Sequence, residues 1–233
     1  MFKGLVFDKD GSLYSASKYI TPFAEHLGRH LSINEFLRTY NDFKEKAVVG
    51  KRYDADTLCE QDDGKQLRSA FWIPALVALH YGFRGNFQDE FLSFSQYILD
   101  DTSFPFDSRL VDVLRNKSYK KAIVSNEDSD KLLKKLGIYD SFDLKYLGAK
   151  KDQNLTEICE HIESSFLASP SEIVWVEDDL EVIKRLKERG YATVLRKTKG
   201  FNYVPEEELR VTANLVLEDD LTRLYDLMNQ NDK

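Results

Sequence analysis

Asp8 and Asp10 stand two residues apart in Phe7-Asp8-Lys9-Asp10-Gly11-Ser12-Leu13, directly after the apolar run Gly4-Leu5-Val6-Phe7. Residues two apart in an extended chain point to the same side. Both carboxylates can therefore face one reacting centre while Lys9 points elsewhere. Two carboxylates so placed can divide labour, one attacking as a nucleophile and the other donating and removing protons. They also suit a hard cation such as Mg2+. A lone Asp-x-Asp-Gly is more often just a polar turn after a strand, so the rest of the chain has to decide between the two.

The element that carries the pair reads as a short buried strand, ending abruptly at charge, with Gly11 letting the chain turn away. From about residue 15 to 103 the pattern is helical. Phe23, Leu27 and Leu31, then Ile33, Phe36, Leu37, Tyr40 and Phe43, recur at helix spacing, and their aromatics are expected to pack as core. Ala70 to Leu79 reads as a buried helix with Pro74 near its start. Phe91, Phe94 and Ile98 continue the pattern, and Phe104-Pro105-Phe106 reads as a return linker. Beyond it, helix and strand alternate. Strands are expected at Lys121–Asn126, Phe142–Leu147, Ile173–Val176, Ala192–Leu195 and Asn214–Leu217, with a strongly amphipathic helix through Leu155, Ile158, Cys159, Ile162 and Phe166. Such alternation implies an α/β fold, a parallel sheet with helices on both faces.

Three of these strands end in polar or acidic residues: Asp8 and Asp10, Ser125 and Asn126, and Glu177, Asp178 and Asp179. In a parallel sheet all three sets share one edge, where α/β proteins bind ligands. The set suits phosphoryl transfer. Asp8 and Asp178 can hold Mg2+, with Glu177 or Asp179 completing or orienting its shell. Ser125 and the amides after it open a helix and offer an anion site. Lys150 or Lys151, just before the amphipathic helix, can supply the cation that a phosphate needs. Each feature alone has a plainer reading: Ser125 as a helix cap, the lysines as solvated charges, the acidic run as a partner of the next helix dipole. Their order, each at a strand end, is much harder to explain that way.

Taken together, Asp8-Lys9-Asp10-Gly11-Ser12-Leu13, Val124-Ser125-Asn126, Lys150 or Lys151, and Val176-Glu177-Asp178-Asp179 resemble the four motifs of the haloacid dehalogenase superfamily. The resemblance implies a Rossmann-like core over residues 1–14 and 104–233, with 15–103 as an inserted helical C1 cap. By that resemblance Asp8 is the nucleophile that forms an aspartyl-phosphate. Asp10 protonates the leaving group and then activates water, and its carbonyl helps bind Mg2+. An acid two residues after the nucleophile marks the phosphatases and phosphomutases rather than the members that cleave carbon–halogen bonds. Glu177 stands where many members have glycine, Val182 where many have a second aspartate, and neither lysine precedes a proline. The Glu-Asp pair does occur in the branch that includes β-phosphoglucomutases. Gly50-Lys51-Arg52-Tyr53 resembles the family's substrate-reading cap loop, where Lys51 and Arg52 would meet a second anionic group or sugar hydroxyls.

The expectation is a Mg2+-dependent phosphatase of a small phosphorylated metabolite. The alternatives are a β-phosphoglucomutase-like mutase and a silent binding protein of the same fold. At 233 residues and a net charge of -7, nucleic acid is not expected as a partner. No apolar run approaches the ~20 residues that span a bilayer, and the first is too short for a secretory signal. A cytoplasmic monomer or homodimer is expected. Cys59 and Cys159 read as reduced thiols, and His26, His30, His80 and His161 as lacking any ligand spacing that needs explaining.

Overall fold

The computed structural model describes residues 2–9, 12–13, 17–98, 108–115, 118–128, 130–218 and 222–229. Asp10, Gly11 and Phe104-Pro105-Phe106 lie outside the described residues. The first apolar run forms β1 (Gly4–Asp8), buried at every position, as a strand covered on both faces of a parallel sheet must be. The helices α1 (Ser17–His30) and α2 (Phe36–Lys46) follow. Next come three two-residue strands, β2 (Val48–Val49), β3 (Arg52–Tyr53) and β4 (Lys65–Gln66), then α3 (Trp72–His80) and α4 (Phe87–Ile98). From α5 (Ser108–Arg115) the alternation sets in: β5 (Lys120–Ser125), α6 (Lys131–Lys135), β6 (Leu144–Leu147), α7 (Lys151–Phe166), β7 (Ile173–Glu177), α8 (Leu180–Glu188) and β8 (Ala192–Arg196). The described chain ends with β9 (Asn202–Tyr203), α9 (Glu206–Thr212), β10 (Leu215–Leu217) and α10 (Thr222–Asn229).

Six strands form one parallel sheet in the order β10-β8-β7-β1-β5-β6. The fold is α/β and Rossmann-like, the sheet flanked by helices, with strands at all six places the sequence pattern marks. From β1 the chain moves to β5 and β6 on one side, then returns to β7, β8 and β10 on the other. The connections leaving β1 and β7 therefore diverge, which makes the crevice beyond their carboxyl ends the switch point where α/β sheets bind ligands.

Residues 17–98 and 198–208 form one compact unit, and the sheet with the remaining described residues forms another. The sequence pattern assigned 198–208 to the sheet unit. Instead β9 pairs with β2 in parallel, Val48 against Asn202 and Val49 against Tyr203. The Asn202 amide donates to the Glu45 carbonyl at 3.0 Å, and the Lys44 ammonium lies 4.8 Å from the Phe201 ring centre. Two-residue strands are too short to show a period, so the pattern cannot reveal them. The core of this unit is aromatic: Phe23 stacks on Phe71 at 5.5 Å and meets Phe91 edge-on at 5.3 Å, with Phe36, Tyr40 and Phe43 buried. Both cysteines are free thiols, Cys59 exposed and Cys159 buried. No helix among the described residues is long and apolar enough to cross a membrane.

Helix α7 buries Leu155, Ile158, Cys159, Ile162 and Phe166 in one core with Val6 of β1, Ala122 and Val124 of β5, and Ile173 and Trp175 of β7. Gly4 permits this close approach, because a Cβ there would stand 2.5 Å from Phe166 Cδ2. Gly4→Ala is expected to cost about 1–3 kcal/mol through overpacking, read as a lower urea midpoint, and Phe166→Leu in the same chain should recover part of it. An unchanged midpoint in Gly4→Ala would contradict this packing.

Candidate active site

Strands β1 and β7 run side by side with Phe7 opposite Val176, so Asp8 and Glu177 end neighbouring strands at the same level. Both are buried, as is Asp178. Between them lies the Lys151 ammonium, also buried, donating to Asp8 Oδ1 at 2.6 Å and to Glu177 Oε2 at 2.6 Å. One carboxylate oxygen from each of Asp8, Glu177 and Asp178 falls within 4.8 Å of the others. An isolated buried charge is costly, and here one ammonium faces three carboxylates.

Lys151 reaches this position because the chain before α7 is bent into it. Lys150 adopts the left-handed region, φ 49° and ψ 56°, and its side chain is exposed. The Lys151 N–H donates to Asn126 Oδ1 at 2.7 Å, the Ala149 N–H to the Ser125 carbonyl at 2.8 Å, and the Gly148 N–H to the Glu127 carbonyl at 3.0 Å. The loop after β5 thus holds the first turn of α7. Between the two lysines that the sequence leaves open, it is Lys151 that joins the carboxylates.

Glu177 is engaged at both oxygens. Its Oε1 accepts the N–H groups of Asp178 at 3.0 Å and Asp179 at 3.2 Å, while Oε2 takes the lysine. The Asp179 side chain turns the other way and caps α8, Oδ1 accepting the N–H groups of Glu181 at 2.9 Å and Val182 at 3.3 Å. Of the two candidates for a supporting carboxylate, Glu177 lies beside Asp8 and Asp178, and Asp179 serves the helix.

Burial would push the Lys151 ammonium down, but Asp8 and Glu177 outweigh it and hold the group above its ordinary range. The Asp178 carboxyl shifts upward too, which for an acid favours the neutral form. Burial pushes it well up, the charges of Glu177, Asp8 and Asp179 add to that, and Lys151 only partly opposes them. The site therefore combines a lysine kept charged with an excess of buried negative charge.

Ser125 ends β5 fully buried, its hydroxyl accepting the Glu127 N–H at 3.1 Å; it closes a turn and does not open a helix as expected, because α6 begins only at Lys131. Asp10, expected beside Asp8, lies outside the described residues. Arg52 and Lys51 belong to the helical unit, where Arg52 Nη1 donates to the Gly64 carbonyl at 3.1 Å and Lys51 Nζ lies 3.5 Å from Glu60 Oε1. Two features escaped the sequence reading. Lys9 forms a buried ion pair with Glu127, tying the loop after β1 to the loop after β5. Arg196 at the carboxyl end of β8 donates to the Ser12 carbonyl. A charged residue closing an apolar strand was the available signal for Arg196, since the same signal marked Glu177.

A family model for haloacid dehalogenase-like hydrolases matches residues 2–190. No curated protein matches the chain in sequence. Among solved structures, a haloacid dehalogenase-like protein of unknown function from Agrobacterium tumefaciens is similar at TM-score 0.64 and 20% identity, over 98% of this chain and 99% of that one. A predicted phosphoglycolate phosphatase from Haemophilus somnus is similar at 0.54 and 18%, over 97% and 98%. A β-phosphoglucomutase from Clostridium difficile is similar at 0.54 and 17%, over 99% and 98%. The fold is also that of an L-2-haloacid dehalogenase, so at these identities the likeness carries the fold and not the reaction.

Because folding pushes the Asp178 carboxyl up, the folded chain binds more protons than the unfolded one between the two values. That contribution to stability falls as pH rises through this window. Without divalent cations, Asp178→Asn is expected to melt above wild type at pH 7. The two should converge as pH falls toward the ordinary aspartate value of about 4. A variant melting below wild type in chelator at pH 7 would contradict the electrostatics described.

Proposed function

The chain belongs to the haloacid dehalogenase-like hydrolases, and from that premise we propose that it is a Mg2+-dependent phosphatase of a small phosphorylated metabolite. The observation that carries this reading is Asp8, buried at the sheet's switch point and held 2.6 Å from the Lys151 ammonium. A carboxylate paired with a buried ammonium and oriented in this way suits attack on phosphorus.

In the reaction, an Asp8 oxygen attacks the phosphorus as the bond to the leaving oxygen breaks, leaving an aspartyl-phosphate. Asp10 gives its proton to that oxygen, then takes one from water as the water attacks the same phosphorus. Inorganic phosphate leaves and Asp8 is restored. Lys151 holds Asp8 in line and supplies positive charge for the phosphoryl oxygens. The Ser125 hydroxyl, which accepts the Glu127 N–H and keeps its own proton to donate, offers a further donor for the same oxygens.

The donor set fits a hard divalent cation: it is all oxygen, buried and in excess of its one lysine. Asp8 and Asp178 would hold Mg2+, and Glu177, occupied at both oxygens, would orient the lysine and the turn into Asp178. When bound, Mg2+ would draw charge from the phosphoryl oxygens and place phosphorus against Asp8.

The test is phosphate release from a panel of phosphorylated sugars, glycolytic intermediates and nucleotides. Release is expected to need Mg2+, to stop in EDTA, and to fall by about 10^4-fold or more in Asp8→Asn, the scale of losing a nucleophile. Release that persists in Asp8→Asn would contradict the mechanism. Interconversion of sugar phosphates without net release would indicate a mutase of the same chemistry.

A further inference from the structure

The helical unit carries a second group of ligand-bearing side chains with no share in the site above. His26 and His30 lie four residues apart on α1, and Glu90 is in the first turn of α4. One donor atom from each lies within 4.8 Å of the others. Positions i and i+4 share a helix face, the arrangement by which two imidazoles of one helix ligate a single zinc. Sequence reading passed over this pair because the third ligand is 60 residues further along the chain, and only the packing of α4 on α1 supplies it.

We propose that His26, His30 and Glu90 form a binding site for a divalent transition ion, Zn2+ by preference, that joins α1 and α4. The Glu90 carboxylate gives an independent indication. Its Oε2 is buried and accepts no hydrogen bond among the described residues, although buried carboxylate oxygens are normally satisfied. It lies 3.6 Å from His30 Nδ1, too far for a hydrogen bond. With metal–donor bonds of about 2.0–2.2 Å, two donors on one tetrahedral zinc stand about 3.3–3.5 Å apart. His30 is half exposed and can swing its ring by the small amount needed. His26 packs its ring against Phe94 of α4, centres 5.4 Å apart, so its direction is fixed by the core.

Two nitrogens and a carboxylate match a zinc site that keeps one position for water. Imidazole ligands disfavour Mg2+ and Ca2+ and favour Zn2+, Co2+, Ni2+ and Cu2+. An ordinary acid in the first turn of α4 would already serve that helix's dipole. That role does not account for two imidazole donors lying within 4.8 Å of its carboxylate. Binding that favours the folded chain raises its melting temperature, so this ion would act as a clasp between α1 and α4.

The experiment uses the full chain, stripped with chelator and held in excess Mg2+ so that the oxygen site is occupied, and titrated with Co2+. Wild type is expected to take up one Co2+ with the strong visible absorption of a four-coordinate, nitrogen-containing site, discharged by one equivalent of Zn2+. His30→Ala, at an exposed position that leaves the fold intact by circular dichroism, should lose that absorption. Its affinity should fall by more than the roughly 10–100-fold of a lost outer-shell partner. His30→Cys should retain binding and add a thiolate-to-cobalt band. Absence of the four-coordinate spectrum in wild type, or equal Co2+ affinity in wild type and His30→Ala, would overturn the proposal. Neither result bears on phosphate release, because no residue of this cluster belongs to the carboxylate site.

Discussion

A lysine ammonium held out of water between two carboxylates is the constraint on which the sheet edge is built. Burying an ion costs several kcal/mol, and only good geometry repays it. That geometry requires Asp8 and Glu177 to end adjacent strands at one level, and Lys151 to arrive from a helix belonging to neither. Each requirement has its own structural cause. The β1–β7 pairing sets the level, and the left-handed turn at Lys150 delivers the lysine. The Asn126 side chain, which accepts the Lys151 N–H, fixes where α7 begins.

The loops around this ion group are fastened to one another as well as to the strands. Lys9 and Glu127 join the loops after β1 and β5. Arg196 reaches from β8 to the Ser12 carbonyl, and the Gly148 and Ala149 N–H groups bind the turn after Ser125. Groups that must be held within a fraction of an ångström need such support. The fold alone does not demand it, since a predicted phosphatase, a phosphoglucomutase and a dehalogenase share the architecture. What distinguishes phosphoryl transfer is therefore residues: Asp8 with its lysine, and Asp10 as the acid and base proposed beside it.

Much of this arrangement was legible in the chain. Continuous apolar runs ending in acid or small polar residues marked β1, β5 and β7, because a strand buried on both faces admits little else until it reaches the sheet edge. Adjacent choices were not legible. Lys150 and Lys151 are the same residue type side by side, and only a backbone turn decides which is buried. Glu177 and Asp179 differ in role because one sits within reach of two amides and a lysine while the other caps a helix. The β2–β9 pairing and the Lys9–Glu127 pair join residues more than a hundred positions apart. No local period encodes such partners.

An aspartyl-phosphate on Asp8 can be detected directly by chemical trapping. Protein turning over a phosphorylated substrate with Mg2+ would be acid-quenched, reduced with borohydride and digested, and the peptide spanning β1 read by mass spectrometry. Reduction of an acyl phosphate converts aspartate to homoserine, so homoserine at position 8, absent without substrate, is the predicted result. Unmodified Asp8 with the reduced residue elsewhere, or turnover with no reducible intermediate at all, would contradict the account.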